Sequence, residues 1–145
     1  MRGRLIALEG IDGSGKTSQV ALLAARAPAP GSLVVTSEPG ATALGSQLRS
    51  LMLDRSLPPV AERAEALLMA ADRAQHVAEV VAPALAAGRW VVTDRFSGST
   101  LAYQGYGRGL DQAGLVVLVG WATAGLVPDL NVLVDVPVSV ARARR

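Results

Sequence analysis

The chain contains one stretch whose residue types and spacing are those of a phosphate-binding loop. Residues 10–17 read GIDGSGKT, which fits the pattern G-x-x-x-x-G-K-[ST]. In such a loop, glycines let successive backbone N–H groups turn toward an anion, and the following helix presents its positive dipole end. The lysine neutralises the β- and γ-phosphates, and the next hydroxyl ligates Mg²⁺. The stretch therefore predicts a nucleotide site formed by Gly10, Ile11, Asp12, Gly13, Ser14, Gly15, Lys16 and Thr17.

Lysine usage singles out the same stretch. Lys16 is the only lysine of the chain, whereas the other thirteen of its fourteen Lys and Arg residues are arginines. A phosphate-binding loop needs a compact point charge, which the lysine ammonium supplies. The guanine-reading motif Asn-Lys-x-Asp would need a second lysine, so the sequence disfavours a GTPase.

Acidic residues and one arginine stand where predicted strands end. Glu9, Glu38, Asp94 and Asp135 each close or follow a short apolar run, and Arg95 comes directly after Asp94. The carboxyl ends of parallel strands meet at one edge of a sheet, where α/β proteins bind ligands. A carboxylate there can hold the water shell of a metal, and an arginine can grip a second phosphate with two hydrogen bonds. The set predicts phosphoryl transfer, which depends mainly on positioning and charge neutralisation.

Strand and helix patterns alternate along the whole chain. Short apolar runs predict strands, and apolar residues recurring every three or four positions predict helices between them. The strands are expected at residues 4–9, 33–36, 90–94 and 130–135. The helices are expected at residues 18–25, 44–53, 61–81 and 111–124, with a further one opening at 137. This alternation predicts an α/β fold, with a parallel sheet covered by helices on both faces.

Three segments carry more specific expectations. Pro83 is expected to kink or end the helix at 61–81, because proline lacks an N–H and clashes with the preceding turn. The helix at 111–124 is apolar nearly all round, which predicts burial by the chain itself or by a partner subunit. The polar, glycine-rich residues 96–109 are expected to form a wall of the site.

Composition limits the class of protein. At 145 residues, with 50% hydrophobic and 18% charged residues, the chain suits a single globular domain. A net charge of +2 and scattered arginines give little support for a nucleic-acid surface. The lack of cysteine excludes disulfides and thiolate metal sites and fits a cytoplasmic protein. Glu9 and Asp12 interrupt the first apolar run, so no signal peptide or membrane span is expected.

Several motifs, taken in their order and spacing, resemble the thymidylate kinases, a family of P-loop nucleoside-monophosphate kinases. The resemblance rests on residues 9–17 (EGIDGSGKT), 36–40 (TSEPG), 48–49 (LR), 71–75 (ADRAQ), 94–96 (DRF), 102–105 (AYQG) and 133–137 (LVDVP). It implies a P-loop NTPase fold, ATP and Mg²⁺ as cofactors, and transfer of the γ-phosphate of ATP to dTMP to give dTDP. It also implies a homodimer.

The resemblance assigns roles to individual positions. It implies that Lys16, Arg95, Asp94 and Glu9 are catalytic, and that Thr17, Glu9 and Asp94 lie at the metal. It further implies an acceptor pocket formed by Asp12, Glu38, Pro39, Arg49, Met69, Arg73, Arg95, Ser99, Thr100, Tyr103 and Gln104.

Within that pocket the implied roles differ. Arg49 and Arg95 would hold the acceptor phosphate, and Asp12 would approach the sugar hydroxyl. Tyr103 would crowd the 2′ position so that deoxyribose is preferred. The thymine edge would be contacted by Arg73, with Ser99, Thr100 and Gln104 completing the base contacts.

The sequence also departs from the family pattern. Met69 stands where a phenylalanine commonly stacks on thymine, and Ser37 stands where an arginine commonly precedes Glu-Pro-Gly. The phosphate loop has no arginine, so the transition-state charge would fall to arginines of a lid after the fourth strand. Because thymidylate kinases are longer, residues 1–145 are expected to be one P-loop kinase domain whose C-terminal lid, last strand and last helices are missing.

Two other functions stay open at this point. The chain could phosphorylate a different nucleoside monophosphate, or, as a true fragment, bind nucleotide without catalysis. His76, the only histidine, has no neighbouring metal ligands in the sequence pattern and is expected to be structural.

Overall fold

A four-stranded parallel sheet forms the centre of the protein, which is described by a computed structural model over residues 2–144. The strands are β1 (Leu5–Glu9), β2 (Leu33–Ser37), β3 (Trp90–Asp94) and β4 (Leu130–Leu133). Their order across the sheet is β2-β3-β1-β4, and every neighbouring pair is parallel. The predicted α/β fold is confirmed, although β4 ends two residues before the expected position 135.

Helices connect the strands and lie against the sheet. They are α1 (Lys16–Ala25), α2 (Ala43–Leu53), α3 (Glu62–His76), α4 (Ala82–Ala86), α5 (Ser97–Thr100), α6 (Gln112–Ala122) and α7 (Val138–Ala143). Two π-helical segments, Val77–Val81 and Leu101–Gly107, follow α3 and α5 directly. Asp111 caps α6 as expected, because its side chain accepts a hydrogen bond from the Gly114 N–H at 2.7 Å.

The core lies on both faces of the sheet because successive side chains of a strand point to opposite sides. Leu5 and Ala7 of β1 join a buried cluster with Val77, Val81, Ala84, Leu85, Val91 and Phe96, and so bury the π-helical segment and α4. Leu8 of β1 and Val92 of β3 face the other way and pack with Val20 of α1. The two clusters hold the ends of β1 and β3 firmly in place.

The helix expected at 61–81 continues past Pro83 instead of ending there. The segment Val77–Val81 is a π-helical turn, and Pro83 falls within the first turn of α4. The Ala82 N–H donates to the Val77 carbonyl, five residues earlier, so the i→i−4 pattern is already interrupted where Pro83 lacks an N–H. The change of helical register before Pro83 therefore takes the place of the expected kink or break.

Helix α6 is less buried within the chain than its apolar sequence predicts. Only Leu115 and Ala122 of this helix are buried, whereas Val116, Val117 and Trp121 are exposed. The expectation that the chain itself covers α6 is thus wrong, and burial by a partner subunit is the alternative that stays open.

Neither α6 nor any other helix of residues 2–144 is long and apolar enough to cross a membrane.

Replacing Leu5 by alanine tests the contribution of the core. Leu5 is fully buried at the start of β1, so Leu5→Ala should lower the free energy of unfolding by about 2–5 kcal/mol. The matched control is Leu22→Ala on the exposed side of α1, which should change it by less than about 0.5 kcal/mol. Urea unfolding followed by circular dichroism measures both, and equal effects would contradict the assigned core.

Candidate active site

The phosphate loop packs closely against the end of β4 and against α7. Gly10 has φ 151° and Gly13 has φ 84°, both in the region that favours glycine. A side-chain carbon on Gly10 would lie 2.6 Å from the Val134 carbonyl oxygen, and one on Gly13 would lie 2.3 Å from that of Ala141. Neither position accepts a side chain, so these glycines are required by close backbone contacts as well as by the turn.

Lys16 lies inside the loop and is more enclosed than an ordinary surface lysine. The side chain is buried, and its Nζ donates a hydrogen bond to the Ile11 carbonyl oxygen at 3.0 Å. Burial lowers the pKa of Lys16, and the nearby Arg95 charge lowers it further, against the opposing carboxylate of Asp94. The ammonium group is therefore held in the loop among other charges of the site.

The residues implied for the metal are only partly brought together. Thr17 Oγ1 donates to Asp94 Oδ2 at 2.7 Å, and both residues line a cleft of about 830 Å³ beside Lys16. This cleft is named the phosphate cleft. A hydroxyl and a carboxylate are the hard oxygen donors that Mg²⁺ prefers. Residues 2–144 hold no cluster of three His, Cys, Asp or Glu suited to a metal.

Glu9 lies elsewhere than the metal role implies. Its Oε1 accepts a hydrogen bond from the Phe96 N–H at 3.0 Å, and its Oε2 accepts one from Ser99 Oγ at 2.6 Å. Glu9 lines a second cavity together with Asp135, and it is not part of the phosphate cleft. The four strand-end carboxylates are thus divided between two cavities, and Glu9 positions the start of α5 instead of facing Thr17.

Arg95 is the centre of the charged part of the site. Its backbone φ is 74°, which is unusual for a residue with a side chain. The guanidinium forms an ion pair with Asp12 and donates to Ser99 Oγ at 2.9 Å and to Tyr103 OH at 3.3 Å. Burial alone would lower the pKa of Arg95, but Tyr103 and Asp12 raise it above the ordinary arginine value. A full positive charge is therefore fixed beside the phosphate loop.

A cavity of about 370 Å³, named the acceptor cavity, contains most of the predicted substrate residues. They line it in two groups. The charged and polar group is Asp12, Glu38, Arg49, Arg95, Ser99, Tyr103 and Gln104. The remaining predicted residues, Pro39 and Met69, stand in the wall with Met52, Leu53 and Val60, which sequence reasoning missed. The cavity is therefore lined by both charged and apolar side chains.

Glu65 is another wall residue that the sequence did not reveal. Its Oε1 accepts from Gln104 Nε2 at 2.7 Å, and its Oε2 accepts from Arg108 at 2.8 Å. The available signal was its position four residues before Met69 on one helix face. The bond to Glu65 fixes the side-chain amide of Gln104, whose Oε1 is buried and without a protein hydrogen bond.

Arg73 and Thr100 are the two predicted pocket residues that the acceptor cavity does not include. Arg73 is fully buried, and it donates to Glu38 at 2.8 Å, to Thr100 Oγ1 at 2.9 Å and to the Phe96 carbonyl at 3.0 Å. Its donors point to protein acceptors behind the wall. Both side chains lie behind the cavity lining in this structure, and their direct contacts with a base stay a prediction.

Known proteins with this sequence pattern are thymidylate kinases. A family model described as thymidylate kinase matches residues 8–145. The chain is 50% identical over 145 residues to the thymidylate kinase of Carboxydothermus hydrogenoformans, covering 99% of this chain and 71% of that protein. It is 54% identical over 155 residues to that of Synechococcus sp. strain RCC307, covering 100% of this chain and 72% of that protein.

Structural comparison leads to the same group. The crystal structure of thymidylate kinase from Ehrlichia chaffeensis superposes with a TM-score of 0.88 at 34% sequence identity. The match covers 99% of this chain and 82% of that chain. Together with the phosphate loop and the adjoining acceptor cavity, these likenesses show that the chain belongs to the thymidylate kinase family.

Proposed function

We propose that this chain is a cytoplasmic, ATP-dependent kinase that transfers the γ-phosphate of ATP to dTMP. The observation that carries the proposal is that the phosphate cleft and the acceptor cavity adjoin. Both are lined by the same five residues, Asp12, Glu38, Pro39, Arg49 and Arg95. A donor phosphate on the loop and an acceptor phosphate in the cavity would meet along this shared wall.

Positioning and charge explain how the site would act. The loop amides and Lys16 hold the donor phosphates, and Arg49 and Arg95 hold the acceptor phosphate. Mg²⁺ held by Thr17 and Asp94 would neutralise phosphate charge and orient the donor. An oxygen of the dTMP phosphate forms a bond to the γ-phosphorus while the bond to the ADP oxygen breaks. No covalent intermediate on the protein is needed.

The acceptor cavity suits a thymine deoxynucleotide. Its apolar lining residues, Met52, Leu53, Val60 and Met69, would pack against the base and its methyl group, with the methionine thioethers adapting to the ring. Gln104, which lines the cavity, would offer its side-chain amide to the base. The same site with a different monophosphate is the alternative that must be tested.

An acceptor panel decides the substrate. Coupled assays of ADP release over dTMP, dUMP, UMP, CMP, AMP and GMP should give the highest kcat/KM for dTMP. A higher value for any other monophosphate would replace dTMP as the acceptor. Nucleotide binding without transfer to any of the six would favour a non-catalytic binding module.

Lys16→Ala should lower kcat by about a hundredfold to a thousandfold, because it removes a positioned charge from the transferring phosphates. The fold should persist, since the lysine contributes one hydrogen bond to its own loop. The control is Gln19→Ala, one turn further along α1 on its exposed side, with activity like the parent. Steady-state kinetics and thermal melting test both variants, and turnover retained by Lys16→Ala would refute the loop's role.

Tyr103 provides a test of sugar selection. Its ring lies 5.1 Å from the Arg95 guanidinium carbon and lines the acceptor cavity. We expect Tyr103→Ala to lower the ratio of kcat/KM for dTMP over the corresponding ribonucleotide by about tenfold, because the 2′ position loses its steric neighbour. Tyr103→Phe retains the ring and should keep the ratio. If the phenylalanine variant lost it too, the hydroxyl and not the ring would be responsible.

The exposed side of α6 supports the further proposal of a homodimer. Val117 is 73% exposed and Trp121 is 83% exposed, one helical turn apart, with exposed Leu67 on the neighbouring α3. Such a contiguous apolar surface is typical of a subunit interface.

Charge placed on this surface should separate the subunits. In sedimentation equilibrium the protein should have twice the chain mass of 14.9 kDa, and Val117→Glu should shift it to the monomer because a carboxylate would be buried without a partner. Val127→Glu is the matched control, since Val127 is 72% exposed but lies outside α6. A monomeric parent protein, or dissociation by both variants alike, would contradict the interface.

A further inference from the structure

A chain of buried side chains runs beneath the wall shared by the two cavities. Thr36 Oγ1 contacts His76 Nε2 at 2.8 Å, and His76 Nδ1 contacts Glu38 Oε1 at 2.8 Å. The other oxygen of Glu38 accepts from Arg73 Nε at 2.8 Å, and Arg73 donates onward to Thr100. The chain therefore links β2 to α5 through helix α3.

The direction of each hydrogen bond follows from the charges. Arg73 carries a permanent positive charge, and its Nε donates to one carboxylate oxygen of Glu38. The carboxylate of Glu38 accepts from His76 Nδ1, and Nε2 on the other side of the ring forms the hydrogen bond with the Thr36 hydroxyl. The imidazole therefore ties Glu38 to Thr36 of β2 and fixes the orientation of the carboxylate.

Because most of these side chains are buried, each of their charged groups needs its hydrogen-bond partners. His76 and Arg73 are fully buried, and Glu38 is only 3% exposed. A buried charge that loses a hydrogen-bond partner is destabilised far more than a surface charge, and its side chain reorients toward water. For Glu38, the nearest water is in the acceptor cavity and the phosphate cleft, both of which it lines.

Helix α3 also holds the other end of the same turn. Asp72 Oδ1 accepts a hydrogen bond from the Gly40 N–H at 2.9 Å, while Asp72 Oδ2 is buried without a protein partner. Burial raises the pKa of Asp72 above the ordinary aspartate value. The turn at residues 38–40 is thus attached to α3 at Glu38 and at Gly40. Pro39 between them presents its carbonyl to Arg49 at 3.1 Å.

At its other end, this series of hydrogen bonds reaches Thr100, close to the residues around Arg95 that line the acceptor cavity. Thr100, which accepts from Arg73, is the neighbour of Ser99 on α5, and Ser99 accepts from Arg95. The turn at 38–40 and the residues around Arg95 are therefore joined through buried hydrogen bonds, with His76 and Arg73 on one face of α3.

We propose that His76 is a positioning residue for the acceptor. It acts through Glu38 to fix the distance between two parts of the acceptor-cavity lining, Pro39 with Arg49 on one side and Arg95 with Ser99 on the other. The inference rests on the proposed function only in identifying the acceptor as dTMP. His76 does not line either cavity, so its effect on substrate is indirect. Loss of its bond to Glu38 should loosen the acceptor cavity and leave the donor loop intact.

Kinetics of three variants test the proposal. His76→Leu removes both hydrogen bonds, and the KM for dTMP should rise by about tenfold or more, as expected for a lost bond to a charged group. The KM for ATP should change by less than about twofold. His76→Asn keeps a donor near the Nδ1 position and should recover most of the loss. Gln75→Ala is the control on the same helix, since Gln75 pairs with Glu79 away from the cavities.

Hydrogen exchange provides a readout that needs no substrate. In His76→Leu, peptides covering residues 37–41 should exchange faster than in the parent, while peptides of the phosphate loop at 10–17 should not. Thr36→Val, which removes only the outer bond of the chain, should produce a smaller change in the same direction and serves if His76→Leu does not fold.

The outcomes separate the two proposals. If the parent protein does not phosphorylate dTMP, the proposed function fails, and the exchange measurement still decides the role of His76. If dTMP is phosphorylated but His76→Leu raises both KM values equally, or leaves exchange at 37–41 unchanged, His76 does not position the acceptor. A loss that His76→Asn does not recover would likewise overturn the role of the Nδ1 bond.

Discussion

The parallel pairing of β1 with β3 is the constraint on which the site depends. Leu8 is opposite Asp94 in this pairing, and the Arg95 N–H continues it by donating to the Leu8 carbonyl at 2.9 Å. The chain leaves β1 into the phosphate loop and leaves β3 into Arg95 at the same edge of the sheet. A slip of one residue would turn every side chain of the strand to the other face, so the buried clusters that fix the register also fix the distance between Lys16 and Arg95.

The second constraint is the burial of charge behind the acceptor cavity. Replacing water around Glu38 and Arg73 costs several kcal/mol per ion, and a single contact does not recover that cost. Here each charge has further partners: Glu38 has His76, and Arg73 has Thr100, the Phe96 carbonyl and the Phe96 ring at 5.5 Å. Such a cluster adds little net stability but permits one arrangement of its members, which is what a preorganised site requires.

Local patterns in the sequence predicted the fold and the phosphate loop, whereas most residues of the acceptor cavity were predicted from the resemblance to thymidylate kinases. The loop at 10–17, the apolar strands and the acidic strand ends each leave a signal in a few adjacent residues. No local pattern in the sequence predicts which groups the Arg73 side chain contacts. Its position on α3 predicts the face on which it lies, but the face does not reveal that Glu38, Thr100 and the Phe96 carbonyl take up its donors. Glu65 was missed for the same reason, since an acidic residue on a helix resembles any solvated one. The exposure of α6 depends on what surrounds the chain, and the periodicity of the α6 sequence carries no information about those surroundings.

The backbone of Arg95 shows how the parts of the site depend on one another. A φ of 74° disfavours a residue with a side chain by about 1–3 kcal/mol, so glycine would suit the turn better. Glycine would lack the guanidinium that meets Asp12, Ser99 and Tyr103. The strained conformation directs this side chain across the loop to Asp12, whereas a relaxed extended residue would continue the strand direction. The unfavourable backbone is therefore a consequence of placing a fixed positive charge between two cavities, and the surrounding hydrogen bonds hold it there.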